Sequence, residues 1–369
     1  MLTGMDTSSA PTVRLTEFSH GGGCGCKISP SVLREIIARS APAIVPRDLL
    51  VGIETADDAA VYRINGRQAI VATTDFFTPI VDDPFDFGAI AAANALSDVY
   101  AMGGTPLFAL AVVGMPIGRL PVDTIRRVLA GGESVCASAG VPVAGGHSID
   151  SVEPIYGLVA IGLVDPDNIK RNRGALRGDA LILGKPLGIG IYSAALKKRE
   201  LPSGGYEAMV ALATQLNTPG AALGRIDGVH ALTDVTGFGL LGHLLEICRA
   251  SAVGANLAFD RVPLLPDAAA LAEHGFVTGA SNRNWSSYGG EVDGEPGATA
   301  RALLTDPQTS GGLLVACSPD TVDDVLRAFR EEGFDRATVI GRITAGAARV
   351  VVEVERTATT TTTRQASIA

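Results

Sequence analysis

Apolar positions along this chain keep two alternating rhythms. Short β-branched runs at 69–74, 141–144, 155–164, 180–183, 230–233 and 313–316 read as strands, with more strand around Thr338 and Val350. Between them, 87–102, 121–139, 206–216, 240–250 and 321–332 carry helical spacing. Gly103-Gly104 closes the Ala-rich helix at 87–102 as a C-cap would. A further helix begins at Ser29-Pro30, a cap followed by proline at the first helical position, with Val32, Leu33, Ile36 and Ile37 as its apolar face. The alternation predicts layered α/β (α+β) domains, each a sheet packed with helices. A hydrophilic stretch at 165–178 divides them into units 46–165 and 166–355. Residues 1–45 are expected to be a flexible segment, and 356–369, with its threonine run, a disordered tail. No short tandem repeat is visible.

Composition narrows the class. A chain of 369 residues is long enough for two cores. No uninterrupted apolar run is long enough to span a bilayer, and residues 1–12 lack the basic start and apolar stretch of a secretory signal. A cytoplasmic protein with no membrane partner is expected. The net charge of −9 argues against general nucleic-acid affinity, which favours a basic surface. The five cysteines are odd in number and scattered, so a disulfide framework is not expected. Cys136, Cys248 and Cys317 fall in helix and strand patterns and read as buried and inert.

Cys24 and Cys26 differ. They lie in His20-Gly21-Gly22-Gly23-Cys24-Gly25-Cys26-Lys27, where glycines let the chain wrap closely around a ligand and move easily. A neighbouring lysine and the N-terminus of the following helix both favour the thiolate. The segment therefore reads as a mobile lid carrying a nucleophile and a cation. No second cysteine or histidine pair stands at structural-zinc spacing, and a Cys-x-Cys disulfide ring is strained. A nucleophilic or chalcogen-handling thiolate remains.

The second constellation is acidic. Asp57-Asp58 lies in a short polar stretch, Asp75 and Asp234 end apolar strands, and Asp98 shares a face of the Ala-rich helix with Asn94. A carboxylate at the exit of a buried strand must be solvated, paired or metal-bound. Several of them can hold Mg²⁺-bridged polyphosphate; helix caps and turn aspartates are the plain alternative. Gly145-Gly146-His147-Ser148-Ile149-Asp150 reads as a turn whose N–H groups can cradle an anion, or as a simple turn. Asp306 through Gly312 reads as a turn whose polar groups can line a site, or as a plain loop before a strand. Gly237-Phe238-Gly239-Leu240-Leu241-Gly242, with Asp260 downstream, satisfies a dinucleotide fingerprint and suggests an NAD-dependent oxidoreductase. Against it, Asp234 at the start of that turn would repel a pyrophosphate. A non-catalytic thiol carrier for selenium or metal is a further alternative.

Taken together, the motifs resemble the selenophosphate synthetases (selenide, water dikinases). The resemblance rests on the stretch from Leu15 to Lys27, Thr73-Thr74-Asp75-Phe76-Phe77, Asn94 to Asp98 with Ala101 to Gly104, and Ala144 to Asp150. It continues through Lys185 to Gly190, Leu232 to Gly239, and Asp306 to Gly312. The resemblance implies a two-domain aminoimidazole-ribonucleotide-synthetase-like fold acting as a homodimer. It implies Mg²⁺-dependent conversion of ATP, selenide and water to selenophosphate, phosphate and AMP, with a selenium-delivery protein as a possible partner. By motif position, Cys24 and Lys27 match the family's catalytic pair, and Asp58, Asp98 and Asp234 its metal-binding aspartates. Lys27, Thr55, Ala56, Asp57, Asp75, Asp98, Gly146, His147 and Ser148 match nucleotide-contacting positions. The tails lie outside the match.

Overall fold

The computed structural model describes residues 13–28, 32–33, 35–36, 46–52 and 56–354. Thr55, Ile37 and the Ser29-Pro30 cap lie outside them. Strands β1 (Leu49–Val51), β2 (Ala60–Arg63), β3 (Ala69–Phe77), β4 (Thr105–Met115), β5 (Val143–Asp150) and β6 (Ile155–Val164) form one sheet in the order β1-β2-β3-β6-β4-β5. All neighbours are antiparallel except β4 and β5. Helices α1 (Pro84–Ala101) and α2 (Val122–Ser138) pack beside it.

The start of α1 is fixed locally. The Asp83 carboxylate accepts hydrogen bonds from the N–H groups of Phe85 and Asp86 at 2.8 and 3.1 Å, and Pro84 opens the first turn. From Phe87 onward α1 is buried along its whole length, so its many alanines let neighbouring elements approach from every side. A Cβ at Gly88 would lie 1.8 Å from the Val128 carbonyl oxygen, and one at Gly131 would lie 1.9 Å from that of Phe85.

The second half begins with β7 (Ala180–Leu183), followed by α3 (Ile189–Lys198), α4 (Gly205–Thr214), α5 (Pro219–Leu223), β8 (Val229–Asp234) and α6 (Gly239–Ser251). Next come β9 (Gly254–Ala258), α7 (Ala268–Glu273), α8 (Gly279–Tyr288), β10 (Val292–Asp293) and α9 (Ala298–Leu304). The chain closes with β11 (Leu313–Cys317), α10 (Val322–Glu331), β12 (Thr338–Thr344) and β13 (Val350–Glu353). The strands form a second sheet, β10-β13-β9-β12-β7-β11-β8. Leu181, Leu183 and Leu314 pack with Leu240 and Leu244 of α6, while Ile182, Leu232 and Val315 pack with Val325 and Phe329 of α10. Helices thus cover both faces, which is why β11 is apolar and buried at every position.

The halves meet tightly. Ile189, Ile191 and Tyr192 of α3 and Met209 of α4 share a core with α1. A Cβ at Gly220 of α5 would lie 2.2 Å from the Tyr100 carbonyl oxygen. Among the described residues no helix is long and apolar enough to cross a membrane. The five cysteines are all free, and Cys136, Cys248 and Cys317 are buried, as their patterns predicted.

Three local expectations are corrected. β3 runs on to Phe77, so Asp75 lies inside the strand, opposite Leu158, rather than at its end. Gly145 to Ser148 is not a turn but part of β5, the exposed edge strand. The glycines there serve close backbone approach: a Cβ at Gly146 would lie 2.1 Å from the Ala111 carbonyl oxygen. Strand β4 was not predicted from the pattern, because Pro106 and its alanines blur the alternation.

A methyl group at Gly131 has nowhere to go between α1 and α2. Gly131→Ala is expected to destabilise the protein by about 1–3 kcal/mol. Urea unfolding checks this, and an unchanged midpoint would mean that the helix contact is looser than described.

Candidate active site

Three aspartates converge from distant parts of the chain. Asp58 precedes β2, Asp98 lies near the end of α1, and Asp234 is the last residue of β8. Each is held by a neighbouring hydroxyl: Thr233 Oγ1 donates to Asp58 at 2.9 Å, Thr73 Oγ1 to Asp98 at 2.5 Å, and Ser97 Oγ to Asp234 at 2.5 Å. Burial and mutual repulsion act together on this group. Burial, then the charges of Asp234 and Asp98, raise Asp58 well above the usual carboxylate range. Burial, then Asp234 and Asp75, do the same to Asp98. Asp234 is raised mainly by burial, against the hydrogen bond from Ser97.

The cysteine loop lies over this cluster. Two short 3₁₀ turns, Leu15–Phe18 and Gly23–Cys26, bracket its glycines. The N–H of Gly23 donates to the Thr78 carbonyl oxygen at 2.9 Å, and Thr78 Oγ1 donates back to that of Gly21 at 2.9 Å. From the second half, Thr309 Oγ1 accepts from the Cys24 N–H at 3.0 Å, and Arg283 donates to the Gly25 carbonyl oxygen at 2.9 Å. Lys27 Nζ donates to Asp75 Oδ2 at 2.8 Å, and its side chain is 33% exposed. Burial works against the Lys27 charge, but Asp75 first and then Cys24 and Asp98 hold its ammonium well above the ordinary range.

Cys24 itself is 1% exposed, and its thiol donates to Asn94 Oδ1 at 3.3 Å. This corrects the expectation of a favoured thiolate. Burial raises the Cys24 thiol far above its ordinary value, and the opposing influence of Lys27 is too small to reverse it. With the loop seated as it is, burial favours the neutral thiol of Cys24. Cys26 is only half-buried.

Asn94 links these parts. Its Oδ1 also accepts from the Ser310 N–H at 2.7 Å, and its Nδ2 donates to Asp75 Oδ2 at 2.7 Å. Asn94, Ser97 and Asp98 are a polar stripe on an otherwise apolar buried helix, a pattern legible in the sequence although only Asp98 was assigned a role. Thr309 and Ser310 fall in the turn whose polar groups read as able to line a site, whereas Lys185 is not singled out as a site residue by its sequence. Lys185 is 1% exposed and donates to the carbonyl oxygens of Gln215 and Ser310 at 2.6 and 2.9 Å. Burial lowers its pKa to about 7, against the attraction of Asp234.

Of the remaining predicted positions, Ala56 and Asp57 directly precede Asp58, and the charge of Asp57 adds to the rise at Asp58. The Ala56 carbonyl oxygen accepts from Asn172 Nδ2 at 2.8 Å, and an Asp57 carboxylate oxygen accepts from the Asn172 N–H at 2.7 Å. Gly146, His147 and Ser148 lie exposed on β5. The Gly237 turn does open α6, but among the described residues β8 pairs only with β11, antiparallel, at the edge of its sheet. A dinucleotide crevice needs parallel neighbours there. Its glycine serves the loop instead: a Cβ on Gly237 would lie 2.8 Å from the Cys24 carbonyl oxygen.

Comparison with known proteins agrees with this architecture. The family model described as AIR synthase related protein, N-terminal domain, matches residues 56–164, and its C-terminal counterpart matches 177–353. A selenide, water dikinase from Paraburkholderia xenovorans is 65% identical over 353 residues, 95% of this chain and 99% of that protein. Another, from Burkholderia pseudomallei, is 63% identical over 354 residues, 95% of this chain and 100% of its own length. The chain belongs to the selenide, water dikinase family. The structure of the hydrogenase maturation protein HypE in complex with ATP shares the fold, with a TM-score of 0.58 at 20% identity, covering 93% of this chain and 95% of that one. Membership of the dikinase family makes this chain a nucleotide-using enzyme and displaces both the NAD-enzyme and the thiol-carrier readings.

The donor set also bears on metal. Among the described residues no group of three or more His, Cys, Asp or Glu side chains is placed to hold a metal ion by itself. Mg²⁺ does not require one, since it takes one or two carboxylates and completes its shell with phosphate oxygens and water. Asp58, Asp98 and Asp234 fit that role, because buried carboxylates that raise one another's pKa are a donor set short of a cation.

Two outcomes are expected. Gly23 has φ +53°, and a Cβ there would lie 2.3 Å from Thr309 Oγ1 and 2.9 Å from Ile80. Strain of about 1–3 kcal/mol at such a site opens the loop, so Gly23→Ala should raise the rate of Cys24 alkylation about tenfold or more; an unchanged rate would mean that the loop is not held by this fit. The second concerns Asp306, a fully buried residue whose carboxylate accepts from the Gly190 N–H at 2.9 Å at the start of α3. Burial raises its pKa from 3.8 to about 7, against hydrogen bonds from Gln308 and the α3 backbone. The folded state thus keeps a proton that the unfolded state has lost between pH 3.8 and about 7. This stability is complete at low pH and fades as pH rises through that window. Asp306→Asn should remove this part of the slope in denaturation measured against pH, and an identical slope would show that Asp306 is ionised throughout.

Proposed function

We propose that this chain phosphorylates selenide at the expense of ATP, releasing selenophosphate, phosphate and AMP. Its product is activated selenium for selenocysteine and selenouridine synthesis. The observation that carries the reading is the placing of a thiol and an ammonium, from one loop, on a buried cluster of aspartates. Cys24 and Lys27 reach Asn94 and Asp75, and Asp98 lies within electrostatic reach of both Lys27 and Asp75.

The groups divide the work. Mg²⁺, when bound, offsets the triphosphate charge that repels an anionic nucleophile. Asp58, Asp98 and Asp234 would hold it, each oriented by the hydroxyl that bonds it. Lys27, kept charged by Asp75, stabilises negative charge on the transferring phosphoryl group. Cys24 holds or delivers selenide beside that group. Its burial under the loop keeps water from competing for the first transfer. Water enters the later step, in which the remaining anhydride is hydrolysed to AMP and phosphate. Lys27, Ala56, Asp57, Asp75 and Asp98, with Thr55, Gly146, His147 and Ser148, are the positions assigned to the nucleotide by motif.

The first sheet supports a homodimer. Tyr62, Phe76, Leu107 and Ile149 stand 44%, 46%, 50% and 55% exposed, on β2, β3, β4 and β5 respectively. Apolar residues on a sheet face are a natural seat for a second copy. A monomer in sedimentation equilibrium at working concentration would remove this part of the reading.

Phosphorus NMR of ATP, selenide and Mg²⁺ with the protein should show a new selenophosphate signal together with AMP. ATP left intact, or split without that signal, would overturn the proposed reaction. Cys24→Ser should abolish selenophosphate formation while ATP binding is largely kept; equal loss of both would make Cys24 structural. Asp234→Ala should weaken Mg²⁺-ATP binding about tenfold or more. Unchanged affinity would remove Asp234 from the metal set.

A further inference from the structure

The loop carries two thiols, and the 3₁₀ turn sends them to different places. Cys24 faces inward to Asn94 and is buried. Cys26, two residues on, lines a cavity of about 460 Å³ on the other side of the loop. That cavity lies between the loop, the Pro79-Ile80 segment, α3, the start of α8 and the Pro307–Thr309 turn. None of the three aspartates reaches it, nor does Cys24.

Its charge is opposite to that of the molecule. Lys27, Lys197 and Arg283 line it, and among the described residues no aspartate or glutamate does, in a chain whose net charge is −9. Lys27 is paired with Asp75, whereas Lys197 and Arg283 have no carboxylate partner among the described residues. Arg283 is instead anchored to the Gly25 carbonyl oxygen at 2.9 Å, which ties one cation of the cavity to the loop itself. The rest of the wall mixes the apolar side chains of Ile28, Ile80, Leu196 and Pro307 with the hydroxyls of Thr16, Ser193, Thr278 and Thr309.

Size decides between ligands. A water molecule occupies about 30 Å³ of liquid volume, and a one-atom anion is of that order. The cavity has the volume of a site for a small organic molecule, about 300–1,000 Å³. A bare chalcogenide would leave most of it filled with water. An anion of peptide size, carrying carboxylates for Lys197 and Arg283 and a sulfur or selenium atom for the Cys26 side, uses all of these features.

We propose that this outer chamber binds a small acidic thiol peptide carrying selenium on its sulfur as a perselenide. The Cys26 sulfur attacks the peptide sulfur, the S–Se bond breaks with its electron pair going to selenium, and hydrogen selenide leaves toward the loop. The Cys26–peptide disulfide that remains is reduced by a second molecule of the thiol peptide. The assignment rests on the proposed selenide chemistry and adds its source. Reduced glutathione is a suitable probe, and hydrosulfide serves as the one-atom comparison. In calorimetry with the full chain, glutathione should bind saturably, more weakly as salt rises. The double variant Lys197→Glu/Arg283→Glu changes two exposed side chains, and it should weaken that binding about tenfold or more while the thermal melt stays that of the parent. Bound glutathione should also slow alkylation of Cys26 by a neutral reagent, followed by mass spectrometry of its peptide.

Absence of saturable binding to the parent protein would overturn the proposal. So would a double variant that binds as the parent does, or shielding of Cys26 by hydrosulfide and not by the tripeptide. AMP formation from ATP and free selenide is measured separately. Lost AMP formation strikes the ATP-dependent reading, whereas lost tripeptide binding with AMP formation intact strikes the chamber alone.

Discussion

A single buried amide connects the parts of this site. Asn94 is 0% exposed, and its two polar atoms engage the Cys24 thiol, the Asp75 carboxylate and the Ser310 N–H. Those partners come from the N-terminal loop, the first sheet and the second half of the chain. An unpaired polar atom at such depth costs about 1–3 kcal/mol, so each partner is held in place by the others. The relation of loop to sheet, and of one half to the other, is thereby fixed at the point where chemistry is to occur.

Around that amide the protein gathers charge that it does not neutralise. Asp58, Asp98 and Asp234 repel one another, and burial deepens the penalty. The fold absorbs this through hydroxyl donors on every carboxylate and through the rigidity of α1, packed closely from all sides. Lys185 and Asp306 show the same logic away from the cluster. One stabilises the carbonyl oxygens around the Ser310 turn, and the other satisfies the first N–H groups of α3. Both position the Asp306–Ser310 segment that receives the cysteine loop.

The loop is where local and tertiary effects conflict. Lysine and glycines beside a cysteine favour a reactive thiolate in an open chain, yet in the seated loop burial outweighs the lysine. A sheltered Cys24 and a half-exposed Cys26 are two different thiols from nearly identical local sequence.

The sequence alone determined the alternation of elements, the Asp98 helix face, the strand ending in Asp234, and the family resemblance carried by short motifs. These are properties of near neighbours: periodicity of apolar side chains, a cap, a glycine where a turn or contact requires one. What it left undetermined was long-range. Asp75 proved to lie within a strand, and Gly145 to Ser148 proved to be sheet edge, because pairing with β6 and β4 extended both strands past their apolar runs. The fingerprint at Gly237 was shown to be a docking surface for Cys24 only by the direction of its neighbouring strand. Whether a thiol is ionised, which carboxylates share a field, and which cysteine faces which cavity depend on burial and on groups far apart in the chain. Those are decided only when the two halves close on α1.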